Sequence, residues 1–176
     1  MMALDWTAID TAIKAWLDAA APSVTWYRGD QDIPRPALPC GQWRWTNVGE
    51  RLTAQGRAAD DSWISTSGTT SLRQALHHRR HTLEIQVYAA AVTGETAAVL
   101  LDAVLLDLQT EARRYALEQA GLVVRSDGSA LDATALLGYA AESRALADLA
   151  VYTADSATED VGRIDTVTPL TGTLET

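Results

Sequence analysis

HTLEIQVYAAAVTGETAAVLLDAVLLDLQTEARRYALEQAG, residues 81–121, decides how the rest of the chain is read. Leu83, Ile85, Val87 and Ala89 alternate with Thr82, Glu84, Gln86 and Tyr88, a period of two that predicts a strand with one buried face. After Thr93-Gly94-Glu95, with Thr93 as a cap, the period changes. Ala97, Leu101, Val104, Leu105, Leu108, Ala112 and Tyr115 recur at spacings of three and four, predicting one helix from about Glu95 to Ala120 that stops at Gly121. A strand leading into such a helix predicts a sheet with the helix laid over one face.

The same helix carries a second apolar stripe, Val99, Ala103, Leu106 and Leu117, roughly opposite the first. Either the helix is sandwiched inside one larger core, or the stripe meets another subunit. No other segment of the chain is free to cover it, which favours the subunit contact and makes these four residues interface candidates.

With 176 residues, nearly half of them apolar, the chain is expected to be a single domain over 1–176 with a real core. No apolar run is long enough for a membrane span. The acid-bearing start MMALDWTAID is not expected to be a secretory signal. Cys40 is the only cysteine, so an intrachain disulfide is excluded while an intermolecular one stays open. The net charge of −9 argues against gripping nucleic acid by phosphate neutralisation. Lys14 is the sole lysine, and all six tryptophans precede residue 64.

Residues 4–21 read as a helix with Asp5 as N-cap, an apolar face of Trp6, Ile9, Ile13, Trp16, Leu17 and Ala20, an Asp10–Lys14 pair, and Pro22 as its end. Val24–Tyr27 is a short strand candidate. RGDQDIPRPALPC follows, with Pro34, Pro36 and Pro39 dictating an extended connector; its Arg28-Gly29-Asp30 triplet is a chance occurrence of a short motif. Leu38–Asn47 is a second strand with Trp43 and Trp45 on one face. Residues 48–79 lose all periodicity and read as a long loop or hairpin excursion between two strands. Trp63, Arg79 and Arg80 on that excursion are candidates for contact with a neighbour. Beyond Gly121, strands are expected at 122–125, 145–153 and 163–169, with a turn at Asp127-Gly128, a polar connection over 153–162 and a loose tail at 170–176. The fold class is α+β: a mixed, mainly antiparallel sheet covered by two amphipathic helices.

The chain lacks the patterns that carry chemistry. It has no Gly-rich phosphate loop, no Gly-x-Ser-x-Gly elbow and no His-Glu-x-x-His. His77, His78 and His81 with Arg79 and Arg80 form the only basic cluster. No third ligand completes a metal site there, so they read as the solvated base of the excursion. Glu84 reads as a residue on the exposed strand face. No catalytic residue, metal site or cofactor is expected, and the chain is read as a non-enzyme.

Several segments together resemble a known family. They are the opening helix, the connector Trp26–Pro36, the long polar excursion, the strand Leu83–Ala89 running into the long helix, Glu142–Leu149, and Arg163–Val167. In this layout the chain resembles the neck or tail terminator (tail-completion) proteins of tailed bacteriophages. The resemblance implies a non-enzymatic virion protein forming a homo-oligomeric ring, commonly a hexamer, at the head-proximal end of the tail. Such a ring ends tail-tube growth and contacts the tube protein and the head-connector or adaptor protein. The acidic composition suits a lumen through which DNA passes without specific binding. Other virion parts (a head-completion protein or tube subunit) are the near alternative, and a metal-dependent DNA-processing enzyme using His77, His78, His81 and Glu84 the distant one.

Overall fold

Asp5 starts the first helix by accepting hydrogen bonds from the backbone N–H groups of Thr7 and Ala8 at 3.0 and 3.1 Å. This computed structural model describes residues 5–51, 53–54, 57–58, 60–67, 70–90, 96–126, 128, 130–134 and 142–160. The elements are α1 (Trp6–Ala20), β1 (Thr25–Arg28), β2 (Cys40–Arg51), β3 (Thr53–Ala54), β4 (Arg57–Ala58), β5 (Asp60–Ser67), β6 (Thr70–Ala90), α2 (Ala97–Asp107), α3 (Glu111–Gln119), β7 (Val123–Ser126), β8 (Leu131–Asp132) and β9 (Glu142–Asp160). No helix among the described residues is long and apolar enough to cross a membrane.

Seven strands form one sheet in the order β1-β2-β6-β9-β7, with β5 also on β6 and β8 also on β9; β3 and β4 form a separate pair. Among the described strands only β1 and β2 run parallel; the other pairings are antiparallel. The period of two in 81–90 gives the sheet its two faces. Leu83, Ile85, Val87 and Ala89 are buried; register sets Ile85 against Trp43 on β2, and the four against Leu149, Ala147, Ala145 and Ser143 on β9. Helices α1 and α2 pack on this face through Ile9, Ile13, Trp16 and Leu17, and through Leu101, Val104 and Leu105. Ser143 on β9 caps α2 from the sheet, its Oγ accepting from Ala97 N at 2.9 Å. The expected cap Thr93 lies outside the described residues.

Two expectations are corrected here. The single helix over 95–120 is two helices, broken at 108–110. Thr110 accepts from Arg113 N at 3.3 Å, and Arg113 pairs with Asp107 at 2.7 Å across the break. A side-chain cap restarts the helix and turns it relative to α2. Ala112 and Tyr115, expected in the core, are therefore exposed, while Leu117, placed on the back stripe, is buried at 3% exposure. Gly121 does end α3, at φ +77°, with Gly121 N–H donating to Glu118 O and Leu122 N–H to Leu117 O at 2.9 and 3.0 Å.

The second correction concerns strand length. The polar connection expected after Thr153 is strand to Asp160, because β9 pairs with β6 from Leu72↔Asp160 to Ala90↔Glu142. Much of 48–79 is likewise strand: the end of β2, β3, β4, β5 and the start of β6. Ladder bonds are main-chain bonds, so a strand without an alternating apolar face leaves no period in the sequence. The expected strand at 163–169 and the tail at 170–176 lie outside the described residues.

Candidate assembly surfaces

The β7 edge of the sheet carries the first surface. On α2, Val99, Ala103 and Leu106 all face outward, with Leu106 71% and Val99 54% exposed. Two shallow grooves adjoin there. One, of about 400 Å³, lies between α3 and β7; the other runs past Leu106, and Gln109 and Ser126 line both. Of the four interface candidates, three thus share one exposed stripe. The fourth, Leu117, is in the core because of the break before α3.

The opposite face of the sheet holds a polar network. Arg44 Nε and Nη2 donate to the two Glu84 oxygens at 2.9 and 3.0 Å. Gln86, only 4% exposed, donates through its Nε2 to Glu84. The Gln86 Oε1 accepts from Gln42 at 2.9 Å, Tyr88 at 2.7 Å and Arg144 at 2.8 Å. Arg35, from the connector, lies 4.2 Å above the Tyr88 ring and donates to Glu142 at 2.8 Å. Burial works against the Glu84 charge, but the Arg44 guanidinium and the Gln86 amide outweigh it and hold its pKa below the usual carboxylate value. Glu84 is thereby a fixed anion in an ion pair, a poor candidate for proton transfer.

His81 stands at the other end of the core face, and the expectation of a solvated cluster fails for it. It is 1% exposed, accepts from Gly49 N at Nδ1 (3.0 Å) and lies 2.9 Å from Thr153 Oγ1 through Nε2. Trp6 and Trp45 meet its ring edge-on at centroid distances of 5.1 and 5.9 Å. Gly49 makes this approach at φ +81°. The signal was in the register: 81 has the parity of Leu83 and Ile85. His77 and His81 sit four residues apart on one strand, about 13 Å, and no group of three potential ligands clusters among the described residues. Arg79 and Arg80, half-buried, lie on β6 just beyond His81, and Trp63 lies on β5 opposite Gln74.

The connector forms the last surface, at the β1 edge. Asp10 on α1 accepts from Arg28 and, at 3.0 Å, from Trp45 Nε1, so the expected Asp10–Lys14 pair gives way to Asp10–Arg28 and Lys14–Asp18. Gly29 N donates to Trp43 O at 2.8 Å. Arg28-Gly29-Asp30 is thus tied into the fold, with Arg28 also 2.7 Å from Asp30. Beyond it Ile33 (44%) and Leu38 (38%) are left exposed.

Over residues 7–175 the chain matches a protein-family model described as phage neck terminator protein. Among solved structures it is similar to the sheath/tube terminator of an extracellular contractile injection system (PVC) in its extended state, determined by cryo-electron microscopy. The TM-score is 0.61 at 15% identity, covering 100% of this chain and 65% of that one. This likeness is one of fold. A further solved chain, at 16% identity and TM-score 0.42 over 87% of this chain and 97% of its own, is too distant to carry an argument. No protein of curated function matches.

Proposed function

The chain belongs to the phage neck terminator family, and on that premise we propose that it is a structural virion component that ends growth of a phage tail tube and joins the tail to the head connector. The family match over nearly the whole chain carries this reading. In it the protein forms a homo-oligomeric ring, with the tube protein on one side and a connector or adaptor protein on the other. A hexamer is the expected stoichiometry. The outward stripe Val99–Ala103–Leu106 supplies a subunit contact in this reading: three apolar residues in line on one helix form the kind of contiguous patch that marks an interaction surface. Trp63, Arg79 and Arg80 are candidates for reaching a neighbouring ring. The net charge of −9 suits a lumen that lets DNA slide, since negative walls repel phosphate.

In the same reading the protein is not an enzyme. Glu84 is held by Arg44 and Gln86, and His81 is enclosed between Gly49 and Thr153. The test is an electron-microscopy reconstruction of the purified protein and of the particle. A closed ring at the junction of tail and head is the expected result. A protein that stays monomeric at high concentration and contributes no density at the neck would overturn the proposal.

A further inference from the structure

We propose that the connector of one copy, residues 30–38, docks on the β7 edge of the next copy, across the grooves between α2, α3 and β7. The inference deepens the ring reading above and rests on it.

A ring of identical subunits joins two different patches, set on different sides of each subunit. The sheet ends at β1 on one side and β7 on the other. Each end has an exposed apolar element: Ile33 and Leu38 beside β1, Leu106 and Val123 beside β7. Their charges differ in sign. The connector carries Asp30, paired with Arg28; Arg35, paired with Glu142; and the exposed Asp32, which has no ion-pair partner among the described residues and is its uncompensated charge. The α3–β7 groove presents Arg114 and Arg125 against one acid, Glu118, while the adjoining groove past Leu106 carries Asp102, so the positive charge is local to the α3–β7 groove. Arg125 stacks 5.9 Å from the Tyr152 ring and has no carboxylate partner among the described residues.

These signs select the occupant. Two connectors brought together would oppose Asp32 to Asp32, and two grooves would oppose Arg125 to Arg125. Connector against groove pairs opposite charges, so the head-to-tail contact that closes a ring is favoured over the symmetric dimer. The connector is suited to enter a groove because Pro34 and Pro36 hold it extended, leaving little conformational freedom to lose on docking.

The test compares Asp32→Arg, Arg125→Asp and the double variant by sedimentation velocity over a concentration series, with circular dichroism as the check on folding. Each single variant should raise the concentration for half assembly about tenfold or more, and the double variant should recover most of the loss. Ile33→Cys with Leu106→Cys in one chain should then give disulfide-linked ladders under mild oxidation, while either cysteine alone gives at most dimers. If wild type assembles, both single variants assemble alike and no ladder forms, the contact lies elsewhere and this inference falls while the ring stands. If wild type never assembles, the ring reading falls, and this inference with it.

Discussion

Glu84 on β6 accepts two hydrogen bonds from the Arg44 guanidinium on β2, from Nε at 2.9 Å and from Nη2 at 3.0 Å, across a directly opposed antiparallel pair. The pair stands on the sheet face opposite the one that α1 and α2 cover. A carboxyl whose folded pKa lies below its ordinary value of 4.5 adds stability that is present above that value and disappears as pH falls through the folded one. Stability should therefore decline below about pH 4.5 partly through Glu84. Glu84→Gln should flatten that part of the acid limb in urea titrations at stepped pH. Because Arg44 is half exposed, the effect at pH 7 should be about 1 kcal/mol or less. An unchanged acid limb would show that Glu84 contributes nothing to it.

Leu106→Asp and Leu117→Asp should separate assembly from folding. Leu106 is 71% exposed, so its aspartate should leave the far-ultraviolet spectrum and melting temperature near wild type while assembly is lost. Leu117 is 3% exposed in the core, so the same change there should unfold the chain. A folded Leu117→Asp or an unfolded Leu106→Asp would contradict the break at 108–110.

Gly41→Ala tests a close approach. A Cβ at Gly41 would overlap the ring of Trp26, which is itself 4% exposed and packed in the core. The ring has little room to move, so the variant should lose about 1–3 kcal/mol by denaturant unfolding. At Gly128 a Cβ meets nothing within 4 Å, so Gly128→Ala should be close to neutral in the same measurement.

His81→Ala should cost about 2–4 kcal/mol, combining a cavity beside Trp6 and Trp45 with loss of the bonds to Gly49 N and Thr153 Oγ1. Tryptophan fluorescence should shift with it. A variant as stable as wild type would mean that the histidine does not hold the end of β2 to the core.

Where burial is one-sided the chain announced itself. Strand 83–89, helix α1 with its Asp5 cap, and the Gly121 stop all follow from period and end chemistry. Two kinds of feature stayed hidden. The apolar spacing of three and four runs on through Leu108 and Ala112, so only the capping preference of Thr110 hinted at the restart that moves Leu117 inward. The far halves of β6 and β9 are polar, and their pairing is a long-range choice that no local pattern records. The polar label on His81 outweighed its parity with Leu83. For the assembly surface, the stripe Val99–Leu106 was readable, but the grooves and the facing connector need the order of strands, which brings β1 and β7 to opposite ends.

The β6–β9 ladder spans nineteen paired positions, where strands commonly have about five or six residues. It runs nine pairs past His81↔Val151, where the described core face ends, about 30 Å. A pull on the far end along the strand axis would act on this ladder in shear. Many main-chain bonds would then bear the load together instead of opening one at a time, as in a zipper pulled from its end. The geometry makes the two strands a stiff tie rod that carries tension from its tip into the helix-covered core.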